Sequence, residues 1–179
     1  MILTDTEITK SIESGDIIIK PYDASCLGSN SYDVHLGEIL AEYIPVVLDA
    51  KRHNEIHKYK IPPEGVILYP DKLYLGVIQE YTETHKHVPM LDGKSSTGRL
   101  GIDIHATAGK GDVGFCGNWT LEISVTMPVK VYAGMPIGQL WYLDTKGEVT
   151  NPYNKKQSAK YSNEAAEPVE SMMFKNFIQ

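Results

Sequence analysis

The chain is short of cysteine and phenylalanine and contains no long apolar run. Its 179 residues include two cysteines and three phenylalanines. Cys26 and Cys116 stand far apart, so they suit neither a disulfide framework nor a C-x-x-C metal clip. No stretch approaches the ~18 apolar residues that cross a bilayer. The opening "MILTDTEITKSIE" carries acids where a secretory leader has a basic and then an apolar segment. The expectation is therefore a cytoplasmic protein with no membrane contact. Positive charge is scarce too. A formal net charge of −6 argues against a nucleic-acid surface. P-loop, G-x-G-x-x-G and G-x-S-x-G signatures are missing.

Metal signals are thin. Zinc-dependent deaminases combine an H-x-E element with P-C-x-x-C. Here His53-Asn54-Glu55 supplies the first, but the second is absent. His85 and His87 lie two apart at a strand end read from the sequence, a spacing that lets both face one way, yet further ligands are not evident. They are expected to be solvated edge histidines, and no zinc is expected.

What is present is an ordinary globular composition, 42% hydrophobic and 22% charged, in a chain sized for one domain. Residues 4–14 read as a helix, with Thr4 and Glu7 placed for a capping box and Gly15 just past the end. Strand patterns dominate after that. In "NSYDVHLG", Tyr32, Val34 and Leu36 share a face. "GVILYP" and "KLYLGVIQEY" are rich in β-branched and aromatic residues. "LGIDIHATA" sets Leu100, Ile102, Ile104 and Ala106 against Asp103, His105 and Thr107. "NWTLEISVTM" sets Trp119, Leu121, Ile123, Val125 and Met127 against Thr120, Glu122, Ser124 and Thr126. "VKVYAGMPIGQLWYL" predicts two strands about a turn at Ala133-Gly134. Many short strands broken by Gly and Pro imply an all-β sandwich or barrel. The polar segment 49–63 reads as an insertion or long loop, and residues 144–179 as a tail docked on the body.

"DGKSSTGRLG" (92–101) packs two cations and three hydroxyls between glycines. It is a polar turn or a cradle for an anion. A second basic cluster, "NKKQSAKY" (154–161), lies in the tail. Glu122 occupies the middle of the best alternating strand. It either decorates a solvated face or looks into a site beside the glycine-rich loop "AGKGDVGFCG", which carries Asp112 and permits close backbone approach.

Taken in order, "NSYDVHLG", "GKSSTGRLG", "HATAGKGDVGF", "WTLEI", "GMPIGQL" and "NPYNKKQSAKY" resemble the motifs of the dCTP deaminase family of the trimeric dUTPase-like superfamily. The resemblance covers most of the chain. It implies a mainly β, distorted jelly-roll or barrel fold with a short N-terminal helix, a single domain over 1–179, and 144–179 as a lid. It implies a hydrolase acting on the C–N bond of a cyclic amidine, converting dCTP to dUTP and ammonia. The runner-up is a bifunctional enzyme that goes on to dUMP, or a dUTPase; a non-catalytic nucleotide sensor ranks below both.

Carried over residue by residue, Glu122 becomes the general acid–base group and the Ala108 carbonyl helps place the water. Ser95 and Arg99 face the base and the reacting centre, while Lys94 and Ser96 contact phosphate. Adjacent residues of an extended segment would divide in that way. Asp112 reads the deoxyribose, Thr120 lies beside Glu122 in the substrate site, and Tyr153 and Lys160 close over the triphosphate. The resemblance further implies Mg²⁺ carried by the triphosphate, no zinc, and a homotrimer with sites between subunits. Lys94 stands where arginine is common and Glu164 where the family has glutamine. "AGKGDVG" departs from the usual A-x-x-I-D-x-G.

Overall fold

Helix α1 spans Asp5–Glu13 and ends as its sequence requires: Gly15, two residues beyond, takes a φ of +79° that only glycine adopts freely. The capping box does not form. Thr4 makes no side-chain cap, and Glu7 instead pairs with Lys10 at 2.7 Å. One-turn spacing on an exposed helix favours that pair over the reach back to the N-terminus.

The computed structural model describes residues 1–107, 109–161 and 165–177. Its strands are β1 (Ile17–Lys20), β2 (Tyr32–His35), β3 (Ile39–Tyr43), β4 (Ile56–Lys60), β5 (Val66–Leu68), β6 (Tyr74–Val77), β7 (Tyr81–Thr84), β8 (Val88–Gly93), β9 (Ile102–Asp103), β10 (Cys116–Gly117), β11 (Thr120–Val125), β12 (Val129–Val131) and β13 (Pro136–Leu143). A second short helix, α2, covers Ser95–Arg99. The strands form antiparallel sheets of order β1-β7-β10, β4-β3-β6-β11-β9, β12-β5 and β2-β13-β8. All four sheets contribute to one core. The architecture is mainly β and jelly-roll-like, with the short N-terminal helix that the sequence implies.

Alternation reads correctly where one face is buried. Tyr32, Val34 and Leu36 are sealed in, as are Leu121 and Ile123. Truncating a fully buried leucine such as Leu121 to alanine costs about 2–5 kcal/mol by analogy with other cores. Three expectations need correction. The segment 49–63 is not simply a loop: it contains β4, an edge strand paired with β3. Its outer side faces water, so it shows no apolar alternation and reads as polar. Residues 100–106 hold only a two-residue strand, and Leu100 and Ala106 are exposed. Met127 is 60% exposed, past the end of β11. "VKVYAGMPIGQLWYL" forms the expected two strands, β12 and β13, about a turn at Gly134 (φ +76°), and the strands join different sheets.

Residues after 143 form the tail. It holds one-turn helices at Tyr153–Lys155 and Met173–Asn176 and runs back across β3 and β11. No helix among the described residues is long and apolar enough to cross a membrane.

Candidate active site

Strand β11 lies between β6 and β9, and Glu122 sits opposite Leu75 of β6. Its neighbours Leu121 and Ile123 anchor the opposite face in the core, so Glu122 must point outward. Outward here means into a cleft of about 590 Å³, a volume that suits a nucleotide-sized ligand. Glu122, Asp112, Thr120 and Tyr153 all line it. Aromatic rings form one wall: Phe115 packs 4.9 Å from Trp119 and 5.9 Å from Tyr153.

Glu122 Oε2 accepts a hydrogen bond from the Ala106 amide at 3.1 Å and lies 3.8 Å from His105 Nδ1. The second distance is longer than a hydrogen bond. His105 first, and the Ala106 N–H with it, hold the carboxyl below its ordinary value against the opposing effect of burial. Glu122 is thus an ionised carboxylate at neutral pH, as a general base needs. Among the described residues, His105 Nε2 is buried without a hydrogen-bond partner. Gly109 makes this packing feasible, because a Cβ there would lie 1.7 Å from Leu91 O and 2.7 Å from His105 Nε2.

Asp112 is gripped by two lysines, Lys156 at 2.8 Å and Lys110 at 3.1 Å. The Lys156 bond above all, opposed by burial and aided by Lys110, holds its carboxyl below the usual carboxylate range. Thr120 Oγ1 accepts from Val169 N at 3.1 Å, and Tyr43 Oη accepts from Ser171 N at 3.0 Å, so the returning tail is tied down at the cleft's edge. At the tail's entry, Tyr153 N donates to Val113 O at 2.8 Å. Gly114 admits that approach: its φ is +90° and a Cβ would meet Tyr153 N at 2.7 Å. Tyr153 Oη then accepts from Lys160 N at 3.2 Å and Tyr161 N at 2.9 Å, folding the tail about the ring.

The other sequence-predicted residues lie elsewhere. Lys94, Ser95, Ser96, Arg99 and Lys160 do not line this cleft. Segment 94–99 is a helical turn rather than an extended run, so the argument from alternating side chains does not hold there. Thr97 Oγ1 caps the turn, bonding to Lys94 N at 3.1 Å and Lys94 O at 2.7 Å. Local capping by a hydroxyl decides a five-residue helix that propensity alone disfavours. The Lys94 ammonium pairs with Asp33 of β2, while Ser95, Ser96 and Arg99 are exposed. Lys160 Nζ donates to Asn176 Oδ1. Ala108 and Glu164 lie outside the described residues.

Sequence reasoning missed His105, Lys110 and Lys156 as neighbours of the two carboxylates. His105 carried a usable signal, since it shares a face with Asp103 and Thr107 near a strand that pairs with β11. The histidines considered for metal part ways. His85 pairs with Glu83 at 2.8 Å, whereas His87 is buried, 3.1 Å from Ser11 Oγ, and faces Asp144. His53 bonds Glu170 of the tail at 2.7 Å.

A family model for dCTP deaminase-like proteins matches residues 2–145. The chain belongs to that family. It is 49% identical over 178 residues to the dCTP deaminase, dUMP-forming, of Leptospira biflexa serovar Patoc, covering 99% of this chain and 98% of that one. It is 47% identical over 179 residues to the dCTP deaminase, dUMP-forming, of Clostridium acetobutylicum, covering 99% of each. Among solved structures, the 2'-deoxycytidine 5'-triphosphate deaminase from Agrobacterium tumefaciens superposes with a TM-score of 0.63 at 21% identity. That match covers 84% of this chain and 50% of the other, and it speaks to the fold.

Proposed function

We propose that the protein deaminates dCTP and carries the product on to dUMP. This revises the sequence expectation of dUTP release. Near-half identity to dUMP-forming relatives over essentially the whole chain carries the reading. In the first step one water adds at C4 of cytosine and ammonia leaves. In the second, another water cleaves the bond between the α- and β-phosphates, giving dUMP and diphosphate.

Glu122 is the general base for the first water. It takes a proton as oxygen attacks C4 and returns it toward N3 or the departing amine. Such assistance contributes about 10²–10⁴ in rate. The remainder comes from positioning and fixed dipoles. The aromatic wall of Phe115, Trp119 and Tyr153 excludes water from part of the cleft, and Asp112 offers the deoxyribose an acceptor poised between two lysines.

The 94–99 turn, with Ser95 and Arg99 toward the base and Lys94 and Ser96 toward the phosphates, is supplied by a second copy of the chain. Arg99, Ser95 and Ser96 are exposed outside the cleft that holds Glu122, which suits a homotrimer whose sites lie between subunits. Each subunit then offers Glu122 to one site and the 94–99 turn to another. Mg²⁺ enters on the triphosphate. The donor set of the cleft fits that role: Asp112 is occupied by lysines, Glu170 by His53 and Glu122 by the Ala106 amide, so a cation arriving with the triphosphate would keep phosphate oxygens and water as its ligands. Bound there, it would supply neutralisation of the phosphate charge. The deciding experiment incubates the purified protein with dCTP and Mg²⁺ and quantifies ammonia, dUTP, dUMP and diphosphate. Equal yields of dUMP, ammonia and diphosphate are expected. Accumulating dUTP with no diphosphate would restore the simpler deaminase.

A further inference from the structure

Away from the cleft, the three-stranded sheet β1-β7-β10 gathers a second set of chemically capable side chains. Glu83 of β7 stands directly opposite Cys116 of β10, and His85 follows Glu83 by two residues. One ligand atom from each of the three lies within 4.8 Å of the other two. His85 Nε2 is 2.8 Å from Glu83 Oε2, and the Cys116 thiol is 3.8 Å from the same oxygen. None of the three lines the cleft.

We propose that Glu83, His85 and Cys116 form a site for a thiophilic divalent cation, with Zn²⁺ as its natural occupant. The donor set is one thiolate, one imidazole and one carboxylate, which matches the ligands that zinc prefers and suits Mg²⁺ or Ca²⁺ poorly. Metal–ligand bonds of about 2.0–2.3 Å in a tetrahedron put neighbouring donors roughly 3.3–3.8 Å apart. The His85–Glu83 contact must open slightly from 2.8 Å, and the separations, all within 4.8 Å, must close toward that range. The backbone beneath is already fixed. β7 pairs with β1 on one side and β10 on the other, and His85 N donates to Asp16 O at 2.8 Å. Tyr81 Oη donates to Glu83 Oε1 at 3.1 Å, leaving Oε2 toward the metal, the kind of outer contact that orients a ligating carboxylate.

Binding replaces the Cys116 thiol proton with the cation and releases that proton. The His85 and Glu83 side chains are 38% and 20% exposed, so the fourth position is open to a water. Cys116 and Phe115 are adjacent, so occupancy also stiffens the loop that carries the aromatic wall of the cleft.

The test uses the full chain, stripped with chelator and titrated with Co²⁺ in metal-free buffer. Thiolate-to-cobalt charge-transfer absorption saturating at one Co²⁺ per chain, and abolished by added Zn²⁺, is expected. Cys116→Ser should lose that absorption, His85→Gln should bind at least tenfold more weakly, and Cys26→Ser should match the wild type. Circular dichroism checks that each variant is folded. His85 is exposed enough that His85→Gln remains informative even if Cys116→Ser fails to fold. Wild-type protein without a thiolate band, a band that survives Cys116→Ser, or undiminished binding by His85→Gln would each overturn the proposal.

Discussion

Glu122 and His105 face each other at 3.8 Å across the gap between β11 and the segment that follows β9. That pairing, with the Ala106 amide on the same carboxylate oxygen, distinguishes Glu122 from a charge on a solvated strand. Glu122→Gln keeps the shape and most hydrogen bonding but removes the base. Single-turnover deamination should fall by about 10² or more, while dCTP affinity holds or improves because a negative charge has left the site. A near-normal rate with unchanged affinity would remove Glu122 from the mechanism.

The same geometry sets a pH dependence. A lowered carboxyl value means that Glu122 stays ionised until the pH falls below its ordinary value of 4.5. For stability, the interactions of a depressed carboxylate are fully present above its unfolded value and are lost as pH falls through the folded one. For catalysis, the acid limb of kcat/KM should lie below 4.5 in the wild type. His105→Gln removes the largest cause of the depression, so the limb should move upward while neutral-pH affinity changes little. An unmoved limb would show that His105 does not tune the base.

The tail is held by backbone contacts at Val113 and Gly114 and by side chains at Thr120 and Tyr43, while the core strands end at Leu143. Deleting residues from Tyr153 onward should leave a cooperative unfolding transition and the strand signal of circular dichroism. It should also weaken dCTP binding by at least tenfold, because Tyr153 of the aromatic wall and Lys156, which holds Asp112, leave with it. Equal affinity in the truncated chain would mean that the tail is not a lid.

Some of this could be read in the sequence and some could not, for identifiable reasons. Glu122 was legible because Leu121, Ile123 and Val125 alternate with it on a strand with one buried face. Gly15 marked the end of α1 because only a left-handed residue finishes the helix cheaply. Strand β4 was hidden because its burial is slight at every position, leaving no period to detect. Helix α2 was hidden because a five-residue helix with Gly98 inside it is decided by the Thr97 cap and by packing of Thr97 against Ile137 O, not by propensity. The lysine clamp on Asp112 depends on where a tail more than forty residues away returns. The spacing of motifs named candidate residues, but not that Arg99 stands outside the cleft that Glu122 lines.

Metal removal separates the two sites. The ligand cluster at Glu83, His85 and Cys116 stands outside the cleft. A zinc-selective chelator that leaves Mg²⁺ free should therefore strip the cluster without stopping deamination. Activity lost under that treatment and restored by zinc alone would place a metal in the chemistry at C4.

The proposed division of the site between subunits makes the strongest demand. Arg99→Ala and Glu122→Gln should each inactivate the protein when every chain carries the change, and each should leave a folded trimer by light scattering. Suppose the site joins Glu122 of one chain to Arg99 of the next. Mixed trimers formed by unfolding and refolding the two variants together then contain intact sites, each built from the undamaged residue of either chain. Random mixing at equal concentrations leaves about a quarter of the sites intact, since two independent choices must both fall the right way in a closed ring. Activity should return to roughly that fraction of the wild type. If Glu122 and Arg99 instead served the same site from one chain, every site in every mixture would lack one of them and no activity would return. A monomer by light scattering, active on its own, would end the proposal before the mixing began.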